Sequence, residues 1–158
     1  MSDQQPAAGF IPIDPIFDAQ AANLLEGWTT FLGFQDREAM IESLRGDEAV
    51  SLYGVTVNED LVVAIVTRQV HLMDELVAIA VREDFRGHGI GELALADTIR
   101  RSGRRPLVVE CPDAIRPWFL NKGFKMVGRR TGPNGEIRYR LGAHAPRATQ
   151  PQTEEPAE

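Results

Sequence analysis

Residues 75–91 read Glu75-Leu76-Val77-Ala78-Ile79-Ala80-Val81-Arg82-Glu83-Asp84-Phe85-Arg86-Gly87-His88-Gly89-Ile90-Gly91. After Glu75, residues 76–81 are all apolar. An unbroken apolar run of this length marks a strand buried on both faces, hence central in its sheet. Arg86 to Gly91 then places three glycines in five positions. Glycines remove side chains, so backbone N–H groups can come close to an anion. A helix starting directly afterwards contributes unpaired donors and about half a positive charge, which suits a phosphate. Arg86 brings a guanidinium to the same place. A dinucleotide fingerprint would need glycine at position 92, but Glu92 stands there and its carboxylate would repel a pyrophosphate. A nucleotide P-loop would need Gly-Lys followed by Ser or Thr, which the stretch lacks. A turn with no ligand is the remaining alternative, although short turns rarely need so many glycines beside an arginine.

On the C-terminal side, residues 89–101 predict a helix, with Ile90, Leu93, Ala96 and Ile99 recurring every three positions along one face. Arg100, Arg101, Arg104 and Arg105 close it, where cations suit the helix dipole. Residues 107–110 predict the next strand, so strand–helix–strand implies a right-handed parallel crossover. A short helix is expected at 117–122, with Pro117 tolerated in its first turn and Gly123 ending it. Residues 124–130 and 136–141 predict a hairpin through Pro133-Asn134-Gly135, where Asn-Gly would supply a primed turn. Upstream, 18–31 reads as a helix with Ala21, Leu24, Leu25 and Trp28 on one face. A second, at 36–44, carries Met40, Ile41 and Leu44 and stops at Gly46. Strands are expected at 50–57 and 61–70, joined by the polar turn 58–60. Residues 10–13 make a poor first strand. The sum is an α/β fold, a mixed and mostly antiparallel sheet with helices on both faces.

The chain has 158 residues, which fits one domain. That domain is expected at 10–142, between unstructured ends at 1–9 and 143–158, the latter rich in Pro, Thr, Gln and Glu. The net charge of −6 argues against a nucleic-acid-binding surface, so the arginine clusters at 100–105 and 129–130 read as solvated. Overall acidity leans slightly towards a cationic acceptor molecule. No stretch approaches the about 20 apolar residues of a membrane span. One cysteine, Cys111, excludes an intrachain disulfide. A cytoplasmic protein is the expectation, with a homodimer the commonest oligomeric state. His71, His88 and His144 lack metal-ligand spacing, so no metal is expected.

Arg86, Gly89 and Gly91 in the pattern Arg-x-x-Gly-x-Gly, preceded by the apolar strand and Phe85, resemble the acetyl-CoA loop of the GNAT N-acetyltransferase superfamily. The segment Trp118-Phe119-Leu120-Asn121-Lys122-Gly123-Phe124 resembles that family's second signature, an aromatic-rich helix ending in Gly-Phe. The order and distance of the two also match, and the resemblance covers roughly 61–141. It implies a GNAT-like fold with a splayed central strand pair, and acetyl-CoA as co-substrate. It implies a small-molecule or peptide amine as acceptor, attacking the thioester directly. The pyrophosphate would sit on the backbone of Arg86, Gly87, His88, Gly89, Ile90 and Gly91. The pantetheine arm would lie along Ile79, Ala80 and Val81, with Phe119 and Asn121 contributing from the second motif.

An attacking amine must be neutral, and a lysine-like amine has a pKa of about 10.4, so a base should take its proton. Glu75, at the position matching the base of the superfamily's protein-lysine acetyltransferases, is the first candidate. Glu110, ending the next strand, is the second, since the open end of a sheet suits substrate. Each also has a plain reading, as a polar strand end or a solvated carboxylate. The family's usual acid for the departing thiolate is a tyrosine four residues before Gly-Phe, where this chain has Phe119. That departure keeps two other readings open: a CoA-binding module without turnover, and thioester cleavage or decarboxylation on the same scaffold. Trp28, Phe31 and Phe34 could line an acceptor pocket or pack the core. Cys111 reads as a packed thiol rather than a nucleophile.

Overall fold

The computed structural model describes residues 11–144. The strand β1 (Ile11–Pro12) is followed by helices α1 (Asp18–Leu24) and α2 (Arg37–Arg45), then by three long antiparallel strands. These are β2 (Val50–Val57), β3 (Asp60–Val70) and β4 (Met73–Val81). Helix α3 (Ile90–Ser102) crosses over to β5 (Leu107–Pro112), which runs parallel to β4. Helix α4 (Arg116–Leu120) precedes the hairpin of β6 (Lys125–Thr131) and β7 (Ile137–Ala143). The seven strands lie in the order β1-β2-β3-β4-β5-β7-β6, so the crossover through α3 is the sole parallel step among them. The mixed, mostly antiparallel sheet is therefore as expected. Its centre is β3 and β4, where Leu61 to Val66 are at most 1% exposed.

Local chemistry accounts for most boundaries. Asp36 caps α2 by accepting from Ala39 N–H, and Gly46 closes it. The two-residue turn between β2 and β3 has both Asn58 and Glu59 at positive φ, the twist-matched geometry for a tight hairpin. The positive φ of Gly123 turns the chain from α4 towards β6, and Phe124 packs its ring 5.2 Å from that of Phe119.

Several expectations need correction. Helix α1 stops at Leu24 rather than running to 31, because a 3-10 turn at Glu26–Trp28 follows it. That turn delivers the Trp28 indole to the Ile79 carbonyl at 2.9 Å. On α3 the buried residues are Gly91, Ala94, Leu95, Thr98 and Ser102, whereas Leu93 is 62% exposed. A strict spacing of three drifts around a helix that turns every 3.6 residues, so that stripe could not stay on one face. At the β6–β7 hairpin only Gly135 has positive φ, and Gly135 N–H donates to the Gly132 carbonyl at 3.0 Å. Pro133 and Asn134 thus form an ordinary turn closed by a left-handed glycine, the three-residue hairpin loop rather than the primed one. Arg105 is not solvated: it bonds Asp74 at 3.0 Å and the Met73 carbonyl at 2.6 Å. Ala143, expected in the tail, ends β7 opposite Leu107. Residues 1–9 and 145–158, expected to be unstructured, lie outside the described residues.

Candidate functional site

Strands β4 and β5 pair only through Asp74–Leu107, Glu75–Val108 and Leu76–Val109. Beyond that point β4 continues to Val81 against β3, while β5 continues to Pro112 against β7. The two central strands therefore diverge, and the wedge between them holds a cavity of about 750 Å³. From β4 the cavity is lined by Ile79, Ala80 and Val81, and from the loop by Phe85, Arg86 and Gly87. Trp28 and Phe31 cover one side; Trp118 and Phe119 cover the other.

Alternation along β4 explains what faces this wedge. Arg82 N–H donates to the Val62 carbonyl at 2.7 Å, so even-numbered amides here serve β3. The amides of Ile79 and Val81 consequently point to the open side. Both carbonyls are engaged within the chain: Ile79 O accepts from Trp28, and Val81 O accepts from Arg86 Nε at 3.0 Å. An extended ligand that uses these carbonyls must displace an indole and a guanidinium.

The glycine loop divides by function. Gly87 and Gly89 have φ near +80° (80° and 82°), and a Cβ on either would meet open space. Gly89 caps α3 in the left-handed region, which leaves the first amides of a 13-residue helix facing out. Gly91 differs, since a Cβ there would stand 2.9 Å from Val81 Cγ2. It lets α3 approach β4. Glu92 is drawn aside by Lys122 at 3.1 Å, so its charge is partly neutralised at the cavity wall.

The two expected carboxylates share the sheet face opposite α3, and neither lines the cavity. Glu75 pairs with Arg68 at 3.2 Å, cross-strand in β3–β4 register. Glu110 receives a bidentate pair from Arg130 at 2.8 and 2.7 Å, with Arg138 at 3.9 Å. The Arg130 hydrogen bonds hold the Glu110 carboxyl below its usual range, against an opposing push from burial. Phe119 is fully buried, its ring 5.0 Å from that of Trp118, so this position is an apolar wall without a hydroxyl. His88 and Asn121 are exposed, and with Gly89 and Ile90 they lie off the cavity lining. Burial drives the Cys111 thiol up to about 11, which rules it out as a nucleophile at neutral pH.

Sequence reasoning missed Trp118, Pro112, Ala114 and Ile115 as lining residues. Trp118 was legible as part of the aromatic run 118–119. The other three follow only from where β5 leaves β4. Among the described residues no cluster suits a metal ion, and no helix is long and apolar enough to cross a membrane.

A mixed sheet splayed between its fourth and fifth strands, with a glycine-rich loop and a helix N-terminus at the mouth, is the fold of the GNAT acetyltransferases. No protein-family model and no curated protein matches the chain; solved structures match its fold. An aminoglycoside 6'-N-acetyltransferase complexed with coenzyme A is 13% identical with a TM-score of 0.70, covering 89% of this chain and 99% of its own. The ribosomal-protein-S18-alanine N-acetyltransferase from Escherichia coli is 17% identical with a TM-score of 0.66, covering 92% and 99%. A GNAT family acetyltransferase from Elizabethkingia anophelis with acetyl-CoA bound is 19% identical with a TM-score of 0.63, covering 86% and 97%. The first two act, by their names, on a small molecule and on a protein, so likeness of fold leaves the acceptor open.

Proposed function

We propose that this chain is an acyl-CoA-dependent N-acyltransferase that moves an acetyl group from acetyl-CoA to a primary amine by direct attack. The observation that carries the proposal is the wedge between β4 and β5, with outward-facing amides at its mouth. Three residue sets fit the co-substrate. The loop amides of residues 86–91, with Gly87 and Gly89 leaving open space, suit the pyrophosphate. The amides of Ile79 and Val81 offer an extended edge to the pantetheine arm. The aromatic walls Trp28, Phe31, Trp118 and Phe119 exclude water from the reacting end. When bound, the thioester supplies an activated acyl group.

Within this reading Glu75 is the better base. A carboxyl held low by Arg130 accepts protons poorly, which weakens the case for Glu110. Among the described residues Glu75 makes one ion pair, to Arg68, and 28% of its side chain is exposed, so solvent reaches the carboxylate. Among the described residues no hydroxyl lines the cavity beside Phe119, so the thiolate leaves unprotonated; a thiol pKa of about 8.5 permits this at a reduced rate. The lone buried cysteine accords with a cytoplasmic setting.

A second reading, a CoA-binding module without turnover, draws on the buried Phe119 and the ion-paired carboxylates. Calorimetric titration of acetyl-CoA and CoA into the wild type and Gly89→Glu tests cofactor binding. Micromolar affinity lost in the variant is expected, and absence of binding to the wild type would overturn both readings. Glu75→Gln should keep that affinity and depress turnover; unchanged turnover at pH 7 removes Glu75 from the mechanism. Phe119→Tyr separates the two readings, since activity in neither form favours the binding module.

A further inference from the structure

We infer that the acceptor is a small amine that carries a carboxylate, and that Arg140 binds that carboxylate; this rests on the acyltransferase reading above. Arg140 lies on β7 opposite Glu110 of β5, one residue beyond the Val109 that marks the last β4–β5 pair. It faces the same side of the sheet as Glu75 and Glu110. Its side chain reaches across β5 to β4, where Nη2 contacts Met73 Sδ at 3.8 Å. Among the described residues Arg140 forms no ion pair, and that thioether is its one hydrogen-bond partner. A guanidinium has five donors, and a thioether is a weak acceptor. Arg140 is partly exposed and none of its nitrogens is both buried and unpartnered, so its remaining donors are open to an oxygen from solvent or from a ligand.

The surroundings give the same sign. Three guanidiniums, Arg130, Arg138 and Arg140, face two carboxylates, Glu110 and Glu136. Arg130 and Arg138 make the close pairs with those two acids, while Arg140 acts on Glu110 at longer range, so the cluster holds one cation more than it holds acids. Arg138 also lies 4.0 Å over the ring of Phe31, a residue of the cavity wall, so the basic patch adjoins the wedge. The lean towards a cationic acceptor drawn from the net charge of −6 is thus reversed locally. A planar carboxylate matches the guanidinium fork in two hydrogen bonds, which an ammonium or an amide cannot do.

The test uses the full chain with acetyl-CoA, the twenty L-α-amino acids and their C-terminal amides as acceptors. Release of free thiol reports transfer, and titration of the same probes into CoA-saturated protein reports binding. At least one acid should be preferred to its amide by about tenfold or more. Arg140→Gln should raise the KM for that acid by about 10- to 100-fold, the range of a charge-assisted hydrogen bond, while the acetyl-CoA Kd stays unmoved. Arg140→Lys keeps the charge without the fork and should fall between. If Arg140→Gln fails to fold, Arg140→Lys and the wild-type ratio of acid to amide decide the matter. Wild type that uses amides or polyamines as well as acids overturns the inference and leaves the acyltransferase reading standing. So does CoA-saturated protein that binds no amino acid. Failure of the wild type to bind acetyl-CoA removes both.

Discussion

Gly91→Ala isolates the contact that seats α3 on the sheet. The new Cβ would stand 2.9 Å from Val81 Cγ2 and 3.7 Å from Trp118 Cζ2. Carbon atoms prefer about 3.5–4.0 Å, so the first distance is an overlap and the second an ordinary contact. Val81 is β-branched and stiff at χ1, and it sits on a central strand, so the helix must give way. Overpacking of this kind costs about 1–3 kcal/mol. Alanine regains up to about 1 kcal/mol of helix propensity over glycine, less in the first turn. The net loss is about 1–2 kcal/mol. For a chain of 158 residues that lowers Tm by about 2–8 °C. Differential scanning calorimetry of Gly91→Ala, Val81→Ala and the double variant measures it. Removing Cγ2 should relieve the overlap, so the double variant should be more stable than the sum of the single losses predicts, by at least about 0.5 kcal/mol. Strict additivity, or a Gly91→Ala protein as stable as the wild type, would refute the reasoning. Gly89→Ala is the control: its φ of 82° strains any side chain although the space is open, so Val81→Ala should not rescue it.

Cys111 should resist alkylation by iodoacetamide in the folded protein at pH 7, since a thiol pushed up to about 11 is almost wholly protonated there. Rapid native labelling would show that burial is not what governs it. Arg105→Ala should cost about 2–3 kcal/mol in urea unfolding, because it strips Asp74 and two strand-end carbonyls, those of Val70 and Met73, of their donor; a loss below 0.5 kcal/mol, roughly that of a solvated surface residue, would contradict this. For Glu110, the depressed carboxyl means its contribution is present above the unfolded value of about 4.3 and is lost as pH falls through the folded one. Glu110→Gln should therefore be less stable than the wild type at pH 7, with the gap closing in acid; a gap that widens on acidification would reverse the assigned direction.

The central unit was legible because its signals are local. An unbroken apolar run, a glycine cluster and an amphipathic segment each follow from neighbouring residues, and β4, the loop and α3 stand within one or two residues of their expected bounds. The β2–β3 turn was legible for the same reason. What stayed hidden depends on partners far along the chain. Trp28 ends its segment in a 3-10 turn that meets Ile79, 51 positions away. Glu110 looked like a free carboxylate until the β6–β7 hairpin brought Arg130 to it, 20 positions on. Arg105 read as one of four solvated arginines, yet its partners Asp74 and Val70 stand 31 and 35 positions back. The face of α3 was misread for a different reason: spacing by three imitates a helical stripe over one turn and departs from it over three.

Trp28 and Trp118 are the only tryptophans in the chain, and both line the wedge, one on each side. The protein therefore carries an optical probe of its own cavity with no indole background from elsewhere. One of the two donates its N–H to the Ile79 carbonyl, so a guest that takes this carbonyl must release the indole and alter its emission. Occupancy of the wedge can then be followed by intrinsic fluorescence in unlabelled, wild-type protein, before any acceptor is known.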